Sequence, residues 1–324
     1  MVNLVHKQIH QELLRSSHPI FISDERVDGD SLGSALAVVD YLKGLGKYPL
    51  VYVSEPVPAQ YYHLPHLDRC TEDLSVFENE EIDLVVVFDC SDEKYVQRLV
   101  DLIPNKPLVI NIDHHKTNTR YGDVNQVIIG APATAQVVHQ FFEANQILPS
   151  RDAATCLLMG ICFDTGAFTN PATDNQSFDI ASSLILLGGR VHDVVRSMFK
   201  NRSLTALRVW GLALERLSES ADFDGLPVTY LTREDLDLHQ IDDEEIDGLS
   251  NFLSLVTDTE AIAVMRETKE GHVKVSMRSH GKDVGAIALK NGGGGHHRAA
   301  GYLIRDSRLV CDDSGCWRVQ KEML

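Results

Sequence analysis

The chain lacks the features that mark membrane-spanning and disulfide-stabilised proteins. No apolar run approaches the roughly 20 residues that a helix needs to cross a bilayer. Residues 1–7 lack the apolar core of a signal peptide. There are only six cysteines, and those in apolar segments, such as Cys156 and Cys162, are typical of reduced core residues. We therefore expect a cytoplasmic protein with no membrane partner.

Basic charge is also scarce. The 324 residues include 30 lysines and arginines against 47 aspartates and glutamates, which gives a formal net charge of −17. Long duplex nucleic acid requires an extended basic surface, so we expect no partner of that kind. A short phosphorylated substrate is still allowed, because a local cationic pocket or metal ions can oppose the bulk charge.

The first part of the chain alternates strand-like and helix-like segments. Short apolar runs rich in β-branched residues predict buried strands, and segments with helical spacing lie between them. This order predicts an α/β fold with a doubly wound, mainly parallel sheet. Strands are predicted over residues 19–23, 48–53, 84–88 and 108–112, helices over 4–15, 33–45, 93–102, 133–145 and 152–163, and an acidic loop over 24–30.

A second, smaller α/β domain with a mixed sheet is predicted after turn-forming residues near 222–227. We expect a catalytic domain over residues 1–190, a helical connector over 191–222 and a substrate-binding domain over 223–324. The last part contains strand candidates at 228–231, 261–267 and 272–277 and exposed helices at 233–238 and 242–249.

Aspartates recur where the predicted strands and helices end. Each aspartate taken alone is also compatible with a turn or a helix cap. In open α/β sheets the strand ends meet at one edge, and carboxylates gathered there repel one another unless cations compensate them. A carboxylate-rich set with one or two imidazoles suits Mn²⁺ or Mg²⁺ better than a thiolate-seeking zinc site. The residues are Asp24, Asp28, Asp30, Asp89, Asp113, His114, His115 and Asp164.

Three motifs in order resemble a known group. They are Val-Asp-Gly-Asp-Ser-Leu-Gly-Ser at residues 27–34, Asp113-His114-His115, and the glycine-rich run at residues 292–301. Together they resemble the DHH phosphoesterase superfamily with its DHH-associated C-terminal domain. In size and domain pairing the chain is similar to the branch of bacterial nanoRNases and 3′-phosphoadenosine-5′-phosphate (pAp) phosphatases.

The resemblance implies a centre of two Mn²⁺ ions, with Mg²⁺ as an alternative. Asp24 and Asp28 would bind one ion, Asp30, His114 and Asp164 the other, and Asp89 both. Asp89, Asp113 and His115 would form the catalytic set, and metal-activated water would hydrolyse nanoRNA oligonucleotides or pAp. A homodimer is an assembly that the resemblance allows. The implied substrate-binding residues are Arg278, Ser279, Gly293, Gly294, Gly295 and His296.

The chain also departs from the family pattern. Asp24 stands where relatives usually have histidine, Val27 where they have proline, and Gln136 where they commonly have glutamate. Our hypothesis is that the first metal position is retained with an altered metal preference. The competing interpretation is an empty position and a non-catalytic nucleotide sensor. Other hydrolases of the superfamily, a pyrophosphatase or a single-strand exonuclease, are the enzymatic alternatives.

Overall fold

The structure is a computed structural model that describes residues 2–169, 173–199, 202–220, 225–246, 248–312 and 315–321. Within these ranges it does not describe the side chains of Val2, Asn3, Glu244 and His296. The chain divides into two compact units, Met1–Asn201 and Arg202–Leu324. The predicted boundaries at residues 190 and 223, with a connector between them, stay predictions.

The first unit contains a fully parallel sheet with strand order β3-β2-β1-β4-β5-β6. Its strands are β1 (Pro19–Ile22), β2 (Leu50–Tyr52), β3 (Cys70–Thr71), β4 (Leu84–Phe88), β5 (Leu108–Asp113) and β6 (Val124–Val127). Its helices are α1 (Val2–Arg15), α2 (Gly29–Lys43), α3 (Glu93–Val100), α4 (Thr134–Ala144), α5 (Arg151–Asp164), α6 (Asn175–Leu186) and α7 (Val191–Phe199).

Helices cover both faces of this sheet. Along β4, Val86 and Phe88 pack into the core formed with α2, α4 and α5, whereas Val85 and Val87 pack into the core formed with α3. Because successive side chains of a strand point to opposite faces, a continuous apolar run is what a doubly covered strand requires. The predicted doubly wound, mainly parallel fold is confirmed.

Helices α2 and α5 approach each other closely at two glycines. A Cβ on Gly33 would lie 2.4 Å from the carbonyl oxygen of Cys156, and a Cβ on Gly160 would lie 2.6 Å from Asp30 Oδ1. Contacts below 3 Å force a neighbouring atom to shift, so these positions accept only glycine at this spacing. The close crossing brings the end of α5 next to the start of α2.

The second unit contains a mixed sheet with strand order β11-β12-β10-β9-β8-β7, as predicted for the smaller domain, and a hairpin of β13 and β14. Its strands are β7 (Ser218–Ser220), β8 (Leu226–Leu231), β9 (Ala261–Glu267), β10 (Val273–Ser279), β11 (Gly294–His296), β12 (Ala299–Ile304), β13 (Ser307–Cys311) and β14 (Trp317–Lys321). Its helices are α8 (Leu204–Glu215), α9 (Arg233–Leu238), α10 (Asp243–Ile246), α11 (Leu249–Val256) and α12 (Val284–Lys290).

Two boundaries differ from the predictions for a clear physical reason. The loop predicted through Asp30 ends earlier, because the Asp28 side chain caps α2 and the helix begins at Gly29. The single helix predicted over residues 242–249 is interrupted before α11, where Gly248 adopts a φ of 92°. Within the described residues, none of the helices combines the length and apolar character that spanning a bilayer requires.

Candidate metal centre

The candidate site lies at the carboxyl ends of β1, β4 and β5, which are adjacent in the sheet. The strand order reverses at β1, and in open α/β sheets such a reversal leaves a crevice where ligands bind. Asp24 follows β1, Asp89 follows β4 directly, and Asp113 is the last residue of β5. The topology therefore brings three of the predicted aspartates to one edge.

Asp28 and Asp30 come from the start of α2. Asp28 Oδ1 accepts hydrogen bonds from the backbone N–H groups of Asp30 and Ser31, at 3.0 and 2.9 Å. Asp30 is fully buried, and its two carboxylate oxygens accept the N–H groups of Thr134 and Ala135, at 2.6 and 2.8 Å. The first turn of α2 is thus fixed against the first turn of α4.

His114 points one ring nitrogen into the carboxylates. Its Nδ1 lies 2.9 Å from the carbonyl oxygen of Ala131, which that N–H can donate to. Its Nε2 is buried and lies 3.1 Å from Asp164 Oδ2 and 3.5 Å from Asp89 Oδ1. The hydrogen bond on Nδ1 orients the ring and leaves Nε2 available as a metal ligand. Histidines that bind metals usually have such a hydrogen bond on their other ring nitrogen.

His115 forms a pair with Asp113. Its Nδ1 lies 2.8 Å from Asp113 Oδ1, which also accepts the backbone N–H groups of His114 and His115. Asn118 donates its amide to the other oxygen, Asp113 Oδ2. Burial raises the pKa of Asp113, but hydrogen bonds from His115 and Asn118 outweigh it and hold that pKa below the ordinary value. Asp113 is therefore an ionised carboxylate that orients the ring of His115.

The electrostatics of the site show strong repulsion among the aspartates. Burial, followed by Asp164, raises the pKa of Asp28 to about 6, and burial with Asp164 raises that of Asp30 to about 8. Burial and then Asp30 raise the pKa of Asp89 well above its ordinary value. His114 responds in the opposite direction: burial lowers its pKa, but Asp164 and Asp30 raise it to about 9. The cluster favours bound positive charge.

These donors fit divalent cations. Ligand atoms of Asp89, Asp113, His114 and His115 lie within 4.8 Å of one another, and so do those of Asp30, His114 and Asp164. Carboxylate oxygens with an imidazole nitrogen match the ligand preferences of Mn²⁺ and Mg²⁺. The acidic and histidine cluster is thus compatible with divalent metal binding. Asp24 and Asp28 fall outside these two groups of described residues, although both act on the same electrostatics, since Asp24 also raises the pKa of Asp28.

The predicted substrate-binding residues lie together in the second unit. Arg278 and Ser279 end β10, and Gly294 and Gly295 belong to β11. Arg278 donates from Nε to Asn251 Oδ1 and from Nη1 to the carbonyl oxygen of Met277. The Ser279 hydroxyl is buried and donates to the carbonyl oxygen of Glu260, so it is already occupied by the fold.

The glycines of this motif have different surroundings. A Cβ on Gly293 or Gly295 would come within 3 Å of β12, so both are required by strand packing. Gly294 has nothing within 4 Å of a Cβ and borders a cavity of about 360 Å³, together with Asp283 and His297. The side chain of His296 lies outside the described part of the chain.

The sequence reasoning missed the residues that support the site. Asn118 holds Asp113, Thr134 contacts both Asp30 and Asp89, and Asn251 contacts Arg278. The helix start predicted at residue 133 was the one signal for Thr134, because the first N–H groups of a helix need acceptors from elsewhere. Asn118 and Asn251 carry no comparable signal.

Comparison with known proteins gives a consistent match. The family model for the N-terminal domain of the DHH family matches residues 19–161, and the model for the DHHA1 domain matches residues 228–310. The bifunctional oligoribonuclease and PAP phosphatase NrnA of Thermus thermophilus is 32% identical over 291 residues, spanning 89% of this chain and 84% of the relative. A probable NrnA of Streptococcus mutans is 27% identical and spans 85% of both chains.

A solved structure supports the fold. An exopolyphosphatase-related protein from Bacteroides fragilis superposes with a TM-score of 0.82 at 22% sequence identity. The match covers 92% of this chain and 90% of the other. At this identity the likeness establishes the architecture of the chain and leaves its substrate to be argued from the site.

Proposed function

Since the chain belongs to the DHH family and is a metal-dependent phosphoesterase, we propose that it hydrolyses nanoRNA oligonucleotides, pAp or both at a centre of two Mn²⁺ ions. The observation that carries the proposal is the convergence of Asp30, Asp89, Asp113 and Asp164 on His114 and His115. The substrate classes come from the names of the two NrnA relatives.

For the metal ligands we keep the arrangement that the motifs imply. Asp30, His114 and Asp164 would hold one ion, and their mutual approach within 4.8 Å supports this set. Asp24 and Asp28 would hold the other, with Asp89 shared. The bound cations would supply charge stabilisation on the phosphoryl oxygens and lower the pKa of a bound water.

His115 would transfer a proton or bind a phosphate oxygen. Asp113 fixes its Nδ1, so the ring is oriented and its Nε2 faces away from that hydrogen bond. Burial lowers the pKa of His115, but Asp113 outweighs it and raises that pKa above the ordinary value, which favours the protonated ring. A protonated, oriented histidine can donate a proton to the leaving oxygen or bind a phosphate oxygen.

In the second unit, Arg278 and the open backbone at Gly294 would bind phosphate or sugar groups. Arginine offers a planar set of donors that matches phosphate oxygens. The net charge of −17 disfavours long nucleic acid and supports the restriction to short substrates.

Asp24 would set the metal preference. It is half-buried and its carboxylate contacts the thiol of Cys90, whose pKa is raised by burial and then by Asp24. A carboxylate oxygen is a harder ligand than an imidazole nitrogen, so it favours Mg²⁺ relative to Mn²⁺. Asp24→His should then raise the ratio of Mn²⁺-supported to Mg²⁺-supported activity, and an unchanged ratio would contradict the assignment.

The decisive experiment is a substrate panel with Mn²⁺. Wild type should release phosphate from pAp, or mononucleotides from 5′-phosphorylated di- to pentanucleotides, and Asp89→Ala and His114→Ala should abolish release. Asp73→Ala is the control and should retain activity, because Asp73 is an exposed aspartate outside the cluster that caps a short 3₁₀-helix, Leu74–Glu78. Nucleotide binding without turnover in wild type would refute the enzyme and favour a sensor.

A further inference from the structure

One residue outside the predicted ligand set contacts two of its members. Thr134, the first residue of α4, is fully buried. Its backbone N–H donates to Asp30 Oδ2 at 2.6 Å, and its hydroxyl donates to Asp89 Oδ1 at 2.7 Å. Asp30 belongs to α2 and Asp89 follows β4, so Thr134 links carboxylates from two separate elements.

The contact with Asp30 has a structural role. The N-cap residue of α4 is Ala133, which has no side chain able to accept the free N–H groups of the first turn. Asp30 accepts those of Thr134 and Ala135 instead. This pair of hydrogen bonds caps α4 and would persist with any residue at position 134 that has a backbone N–H.

The contact with Asp89 is not part of the cap of α4. The Thr134 hydroxyl neither caps its own helix nor bonds to the preceding turn, and it is directed at a carboxylate. Asp89 itself adopts a φ of 61°, which is uncommon for a residue with a side chain and recurs at functional sites. Its backbone N–H is fixed by the carbonyl oxygen of Ile112, and its side chain by Thr134.

We propose that Thr134 is a positioning residue, whose hydroxyl holds Asp89 in the orientation that binds divalent cations. The inference rests on the proposed function and deepens it. With Oδ1 held by Thr134, the carboxylate cannot rotate freely, and the entropy of ordering it is already lost before a cation arrives. Groups that orient metal ligands in this way change metal affinity by about 10- to 100-fold when they are removed.

The test compares Thr134→Val with Thr134→Ser. Valine has a similar shape and keeps the backbone N–H, so it removes the hydroxyl alone, whereas serine retains it. Titration calorimetry of EDTA-stripped protein with Mn²⁺ should give a Kd about 10- to 100-fold weaker for Thr134→Val. The Kd of Thr134→Ser should stay within about threefold of wild type.

Thr155→Val is the matched control. Thr155 is also fully buried in a helix, and its hydroxyl donates to Arg151 O, away from the cluster. This variant should lose some stability towards urea and keep the Mn²⁺ affinity of wild type. It separates the loss of any buried hydroxyl from the loss of the one on Asp89.

The outcomes are distinct for the inference and for the proposed function. Equal Kd values of wild type and Thr134→Val for Mn²⁺ would overturn the inference without contradicting the proposed metal centre. Wild type that binds no Mn²⁺ would overturn the proposed function itself. Should Thr134→Val fail to fold, Thr134→Ala against Thr134→Ser poses the same comparison, and equal affinity of that pair would also reject the inference.

Discussion

Replacing Asp28 with asparagine should stabilise the metal-free protein at neutral pH and weaken its response to Mn²⁺. Asparagine caps helices as well as aspartate does, and the two N–H groups that Asp28 accepts both bind its Oδ1, which asparagine retains. The substitution therefore removes the charge and keeps the cap. Because Asp28 is repelled by Asp164 and Asp24, removing its charge removes this repulsion and stabilises the folded state.

The size of this gain in stability and its pH dependence follow from the pKa of Asp28. Burial and Asp164 raise the pKa of Asp28 from 3.8 to about 6. Between these values the folded state binds more protons than the unfolded state, so the stability of wild type falls as pH rises through that window. About two units correspond to about 3 kcal/mol, and solvent screening at this half-buried position lowers the expected gain to about 2 kcal/mol.

Urea unfolding followed by circular dichroism in EDTA measures the effect. At pH 7.5 the variant should exceed wild type by about 2 kcal/mol, and at pH 5.0 the difference should fall to roughly half. Added Mn²⁺ should stabilise wild type more than the variant, since binding to the folded state adds stability in proportion to RT ln(1 + [L]/Kd). A variant no more stable than wild type at pH 7.5, or a gain that ignores pH, would refute the reasoning.

Asp92→Asn is the matched control for this prediction. Asp92 caps α3 with the same geometry, as its Oδ1 accepts two backbone N–H groups at 2.9 and 3.0 Å. It is exposed and lies outside the cluster. Its replacement should change stability by less than about 0.5 kcal/mol at both pH values and leave the Mn²⁺ response intact.

Three further predictions follow from the same contacts. His115→Gln should lower kcat by about 10²- to 10⁴-fold and leave the Mn²⁺ Kd unchanged; an unaltered kcat in steady-state kinetics would exclude a proton-transfer role. Asn251→Ala should remove the acceptor that orients the Arg278 guanidinium and raise KM for pAp by about tenfold with little change in kcat, and a loss confined to kcat would count against it. Gly160→Ala should cost about 1–3 kcal/mol in urea unfolding and weaken Mn²⁺ binding, because its Cβ would lie 2.6 Å from Asp30 Oδ1; unchanged stability would contradict that contact.

The architecture was predictable because a strand that is buried on both faces of a sheet appears in the sequence as a continuous apolar run. The run at residues 84–88 has no polar residue, and it forms β4 with the predicted bounds. By contrast β6 was not predicted, because Asn125 and Gln126 interrupt its apolar pattern. Gln126 is buried at the sheet edge against His6 of α1, a contact that joins residues 120 positions apart. No local pattern encodes such a partner.

The candidate site was predictable to a similar depth. Aspartates that follow strands can be placed at one edge from topology alone, and the structure brings Asp30, Asp89, Asp113 and Asp164 into groups with the histidines. The supporting contacts were not predictable, since Thr134 reaches Asp30 and Asp89 only because α4 begins against α2. Their roles as ligands stay predictions.

Asp28 also shows how the demands of the fold and of the site can be separated. For the fold alone, asparagine would cap α2 equally well and avoid the repulsion from Asp164. The carboxylate therefore lowers the stability of the metal-free protein without any gain in local structure. Asp30 is different, because both of its oxygens cap α4, but its burial beside other carboxylates still raises its pKa to about 8. Mutually repelling carboxylates at the edge where the strand order reverses are what a cation site requires, and bound cations would remove the repulsion that they create.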